Sequence, residues 1–143
     1  MQDFRNLDVW RRAHSVALEV YRLTEIFPRS ETFGLSSQLR RAASSIPTNL
    51  AEGCGRTQAE FGKFVQIALG SACEVEYLLL LARDLGFVAQ ETYVEVSAKV
   101  VQVKRMLNAQ LKRIQRDVIH VGAATGMRSR SPNTVSRNGL AES

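Results

Sequence analysis

The chain has 143 residues, enough for one domain with a substantial core and too few for two. Hydrophobic residues make up 45% and charged residues 23%, a globular balance, and the net charge of +5 with a pI of about 9.7 favours anionic partners. The isolated Cys54 and Cys73 argue against a disulfide framework and fit a reducing cytoplasm. The N-terminus has no apolar signal-peptide core, and the longest apolar run, 75–82 with Glu76 inside it, falls far short of the roughly 20 residues of a membrane span.

Leu7, Trp10, Ala13/His14, Ala17, Val20/Tyr21, Thr24 and Phe27 recur at three-to-four spacing, so a first helix is expected over residues 7–27, stopping before Pro28. Asn6 is placed to cap it, with Asp8 at the positive end of its dipole. Glu19 and Arg22 form an i, i+3 pair. Ser30 and Glu31 then suit the start of a second helix over 31–53.

That second helix carries the most informative stretch. Leu35, Leu39, Ala42/Ala43, Ile46 and Leu50 keep helical spacing, yet Pro47 lies inside it. Proline cannot donate to the Ala43 carbonyl and costs about 3 kcal/mol in a helix interior, so the helix is bent, broken at Ser45–Ile46, or supported by neighbours. Gly53 and Gly55 would supply left-handed residues at its exit.

Thr57-Gln58-Ala59-Glu60 matches a capping box and opens a third helix over 57–85, striped with Phe61, Phe64/Val65, Ala68, Ala72, Val75, Leu78/Leu79, Ala82 and Leu85. Ala68, Gly70, Ser71 and Ala72 form a small patch expected to face Ala42–Ser45, which makes Gly70→Leu a severely destabilising change. After Gly86 a fourth helix follows over 91–116, with Tyr93, Val96, Val100, Val103, Leu107, Leu111 and Ile114 spaced by threes and fours. Val94, Val101 and Met106 fall beside this stripe and suggest a subunit contact. From Asp117 the composition turns to Gly, Ser, Thr and Asn, and residues 117–143 are expected to be a disordered tail. Four such helices with short connections predict an all-α, antiparallel up-down-up-down bundle, its helices about 32–42 Å long.

Residues 1–89 are electrically neutral overall, whereas 90–116 hold six basic residues against two acidic ones. Cations at a helix C-terminus are ordinary. The functional alternative is a basic strip of Lys104, Arg105, Lys112, Arg113 and Arg116 that docks on phosphates. No aromatic residue interleaves them, so base stacking on this strip is not expected.

Chemistry is otherwise sparse. His14 and His120 lack partners at metal spacing, and Glu91 and Glu95 read as an acidic first turn. Catalytic motifs, zinc spacings and phosphate loops are missing from the sequence, so no enzyme activity, cofactor, metal or small-molecule substrate is expected. Gly53-Cys54-Gly55-Arg56-Thr57 before a helix start can hold an anion or can simply be a helix exit. Arg40 and Arg41 point about 100° apart on a helix, so one can pair with Glu52 or Glu60 while the other reaches solvent.

One motif set is distinctive. Phe4, Leu7, Val9 and Trp10, then Phe27-Pro28, Glu31 and Phe33-Gly34-Leu35, then Gln38, Arg40-Arg41-Ala42-Ala43, Ser45-Ile46-Pro47, Asn49 and Ala51-Glu52-Gly53 resemble the four-helix-bundle proteins of the 23S ribosomal RNA intervening-sequence family. Phe61, Phe64, Ala68, Gly70-Ser71, Glu74 and Leu85-Gly86 extend the likeness over about residues 4–115. The resemblance implies a bacterial, non-enzymatic bundle that assembles as a ring-like pentamer and whose coding region interrupts ribosomal RNA genes. A related branch, the accessory variability determinant of diversity-generating retroelements, implies a basic pentamer that binds a reverse transcriptase and nucleic acid. No catalytic residue carries over; the recurrent polar positions match Arg40, Arg41, Asn49, Glu52 and Arg56.

Two functions follow as expectations. In the first, a cytoplasmic homo-oligomer binds RNA or a ribonucleoprotein through the fourth helix. In the second, it is a protein–protein adaptor ring that presents Arg40, Arg41, Asn49 and Glu52 to a partner and binds no nucleic acid.

Overall fold

The computed structural model describes residues 2–129, and within them four α-helices account for nearly all the ordered backbone: α1 Asp8–Thr24, α2 Leu35–Gly53, α3 Gln58–Asp84 and α4 Gln90–Ser129. Each helix packs on its neighbours in sequence and α1 closes against α4, while no close backbone approach joins either diagonal pair. With short connections this is the expected up-down-up-down bundle, and no strand occurs among the described residues. Leu39, Ile46, Leu50, Val65, Leu79 and Leu107 are fully buried at its centre.

The start of α1 departs from expectation. Asn6 does not cap it; Asp3 accepts the Arg5 amide at 2.9 Å to close a 3₁₀ turn over Phe4–Asn6, and α1 follows from Leu7 with no side-chain cap. Glu19 ignores Arg22 and instead accepts a hydrogen bond from Lys99 across the α1–α4 interface. That bond, more than the nearby carboxylate charges of Glu19 and Glu95, raises the Lys99 pKa. The stability that Lys99 draws from its raised pKa is therefore in place below its ordinary value and is lost as the pH rises through the raised one.

Ser30 does not start α2 either. A 3₁₀ turn over Arg29–Glu31 comes first, and the Glu31 carboxylate reaches forward to accept the Leu35 amide at 3.0 Å. A Cβ on Gly34 would sit 2.7 Å from that carboxylate, so glycine leaves room for this cap. Past Pro47, α2 runs on unbroken. Thr48 donates to the Ser44 carbonyl at 2.7 Å, and Asn49 donates to the Ser45 carbonyl at 2.8 Å and to its hydroxyl at 3.0 Å. Ser45 in turn hydrogen-bonds Ser71 of α3 at 2.8 Å. These side chains brace the adjoining turn and tie it to α3; their acceptors do not include the Ala43 carbonyl, which proline leaves without its helical donor.

The small faces of α2 and α3 do meet. Ser45 and Ser71 hydrogen-bond between them, and Ala42, Ala43, Ala68 and Ala72 on the same helices are buried. Gly70 is not part of this contact: it is exposed, and a Cβ there would meet nothing within 4 Å. The expectation for Gly70→Leu is therefore corrected, because at about 100° per residue Gly70 lies opposite both Ala68 and Ala72. Gly53 and Gly55 are corrected too, since Gly86 alone among the described glycines has positive φ, at 82°. There the Phe87 amide bonds the Ala82 carbonyl and the Gly86 amide bonds that of Arg83, closing α3 with a Schellman motif. The capping box at Thr57 and Glu60 is present in both directions.

By length and composition α3 is apolar enough to cross a membrane. Its stripe from Phe61 to Ala82 lies in the bundle core. The largest departure is α4, which continues to Ser129 where a disordered tail from 117 was expected; residues 130–143 lie outside the described residues. Val118 and Val121 prolong the three-and-four spacing of Leu111 and Ile114, and no proline intervenes before Ser131. At 1.5 Å per residue, α4 is about 60 Å long.

Candidate functional site

The five basic residues expected to act together on α4 divide into three groups. Lys104 turns toward α3, where its ammonium lies 3.3 Å from both Glu76 oxygens in a half-buried ion pair. Arg113 turns the other way, toward the α1 N-terminus, and donates to Gln110 at 2.8 Å. Arg105, Lys112 and Arg116 are exposed and have no ion-pair partner among the described residues. Helical geometry puts these three within about 40° of one another, spaced by about 10 and 6 Å along α4. They form one outward row of unpaired cations.

The second expected group is mostly occupied by the fold itself. Arg40 donates from Nε to the Thr24 hydroxyl at 2.7 Å and from Nη2 to the Tyr21 carbonyl at 3.2 Å, and its guanidinium lies 4.8 Å from the Tyr21 ring centroid. It pins α2 to α1 and does not pair with Glu52 or Glu60. Asn49 is engaged with Ser45. Arg56 donates to the Glu52 carbonyl at 3.2 Å and covers the Phe64 ring. Arg41 and the Glu52 side chain remain exposed. The exit loop is a poor anion site, because the capping box already occupies the Thr57 and Glu60 amides and brings the Glu60 carboxylate there.

A feature missed in the sequence lies between the end of α1 and the start of α2. A cavity of about 760 Å³ is lined there by Arg29, Arg40 and Arg41, by the hydroxyls of Ser36 and Ser37, and by the rings of Tyr21 and Phe33. Arg29 was readable only as a turn residue and Phe33 only as part of the second helix and its motif, because nothing local shows that the α1–α2 connection folds back beside Arg41. A second groove of about 410 Å³, lined by Trp10, Leu18, Pro47 and Ala51, is nearly all apolar.

No group of three His, Cys, Asp or Glu side chains gathers among the described residues. His14 is exposed and stacks on Trp10 at 5.0 Å. Cys54 is buried, with its thiol donating to the Gln2 carbonyl at 3.5 Å; burial, and then the Asp3 charge, push its pKa up. Cys73 is exposed. An alkylating reagent at pH 8 is expected to modify Cys73 first and Cys54 only as the protein opens, read by peptide mass spectrometry; the reverse order would contradict the packing of Gln2 on Cys54.

No curated protein matches the chain. A crystal structure from Bacteroides thetaiotaomicron, described as a protein with unknown function from the S23 ribosomal protein family, has a TM-score of 0.66 and 24% identity, covering 73% of this chain and 98% of that one. That likeness carries the four-helix fold. The family model described as 23S rRNA-intervening sequence protein matches residues 5–109, from the 3₁₀ turn before α1 to the middle of α4. With most of the bundle inside that match, this chain belongs to the 23S rRNA-intervening sequence protein family.

Proposed function

We propose that the protein is a non-enzymatic oligomer, a pentamer by its family resemblance, that binds RNA or a ribonucleoprotein through Arg105, Lys112 and Arg116. The observation that carries this reading is the unpaired outward row on α4, in a chain whose first 89 residues are neutral. Phosphate neutralisation by such a row is electrostatic and weakly sequence-selective. The test is binding of a structured RNA across a salt series: affinity falls steeply with salt, and no measurable binding at low salt removes the proposal. Partners that survive nuclease treatment and are lost with Arg41→Glu would favour the adaptor instead.

Assembly is supported by the outer face of α3. Ile67, Gly70, Glu74 and Tyr77 repeat by threes and fours on the side away from the core, with Ile67 and Tyr77 more than half exposed, whereas Leu81 packs against the core. On α4, Val94 is also exposed, whereas Met106 packs against the core. The bare Gly70 lets a second copy approach this seam. Gly70→Leu is expected to keep the helical circular dichroism and to lower the mass seen by light scattering. An unchanged mass would remove the seam from the interface.

A further inference from the structure

The cavity between α1 and α2 lies at the other end of the bundle from the α4 row, since Arg113 and Met106 of α4 sit beside Leu7 and Asp8 at the start of α1. It is independent of the RNA-binding reading. Three arginines, Arg29, Arg40 and Arg41, line it with one acidic residue, Glu25. Arg29 and Arg41 make no ion pair among the described residues. Arg40 is held in place through Thr24 and Tyr21 by Nε and Nη2, which leaves its Nη1 donors without a hydrogen-bond partner among the described residues. A pre-positioned guanidinium in a cavity that two further arginines line suits a phosphate, which arginine can hold by paired hydrogen bonds.

The rings specify more than an anion. Phe33 is 96% exposed although it borders the cavity, so both faces of its ring are open. Tyr21 has one face covered by Arg40. An exposed ring beside cations is a platform for a planar base. Glu25 and the hydroxyls of Ser36 and Ser37 offer hydrogen bonds to sugar hydroxyls or a base amine. The volume of about 760 Å³ falls in the range of small-molecule sites.

We infer that this cavity binds a nucleoside monophosphate unit, with the phosphate on Arg40, Arg41 and Arg29 and the base on Phe33. The unit can come as a free nucleotide or as the terminal nucleotide of an RNA strand.

The test is calorimetric titration of the full chain, in its native oligomeric state, with adenosine 5′-monophosphate, adenosine, inorganic phosphate, and a short single-stranded RNA with or without a 5′-phosphate. Saturable binding of the monophosphate is expected, about tenfold or more tighter than adenosine or phosphate alone. Arg41→Gln and Phe33→Ala, both at exposed positions, should each weaken it about tenfold, whereas Lys112→Gln with Arg116→Gln should leave it unchanged. Tighter binding of the phosphorylated RNA than of the mononucleotide, lost in Arg41→Gln, identifies an RNA end; the reverse order identifies the free nucleotide. Absence of saturable nucleotide binding, phosphate binding as tightly as the nucleotide, or a Phe33→Ala variant that changes assembly but not nucleotide affinity would each overturn the inference. Because the α4 double variant is read separately, loss of RNA binding there leaves this result untouched.

Discussion

Gly53→Val is expected to lower the melting temperature by about 10 °C, the result of roughly 3 kcal/mol of overpacking in a chain of this size. A Cβ at position 53 would lie 2.7 Å from the Phe64 Cβ and 2.9 Å from the Phe61 Cδ2. The first contact is the decisive one, because a Cβ is fixed to its backbone and moves only if α3 moves. Phe61 is itself buried, so its ring cannot swing clear. Only Cys54 to Thr57 separate the two helices, and the capping box anchors the far end of that link. Replacing a helical glycine returns up to about 1 kcal/mol of backbone entropy, less for a β-branched residue. Overpacking wins by a wide margin. A melting temperature within about 2 °C of the parent protein would show that α2 and α3 can separate at this point without penalty.

The contrast between Gly53 and Gly70 explains which parts of the fold could be read from the sequence. Features that depend on a few adjacent residues were legible: the Thr57–Glu60 capping box, the Gly86 stop and the four apolar stripes stand in the structure, apart from Leu85, which is exposed. The close approach of α2 and α3 was also legible from their small residues. Assigning Gly70 to that contact failed although its angular position relative to Ala68 and Ala72 was available. Gly53 was read as a left-handed exit because its true constraint comes from Phe61 and Phe64, one helix further along the chain. The α4 extension was missed because Gly122 and Gly126 read as loop, while Val118 and Val121 quietly prolonged the stripe. For the site, charge counting found the right helix but not the direction of each side chain. Glu76, which neutralises Lys104, belongs to α3, and the cavity arginines converge only after α1 and α2 have packed.

Replacing Arg105, Lys112 and Arg116 together by glutamine is expected to weaken RNA binding on the order of 100-fold near 0.1 M salt. It should also flatten the slope of log K against log salt by about 2 to 3, the release expected for three neutralised phosphates. All three are exposed and unpaired, so the change should leave the bundle intact. In an oligomer the row repeats in every subunit, and simultaneous contacts would enlarge the loss of affinity. Lys104→Gln supplies the opposing control. Its charge is already met by Glu76, so its removal should leave the salt slope in place while costing up to about 1 kcal/mol of stability from a partly exposed pair. If the triple variant kept the parent slope, the phosphates would have to meet another surface. If Lys104→Gln flattened the slope as strongly as the triple change, the division of the α4 cations into paired and unpaired groups would be wrong.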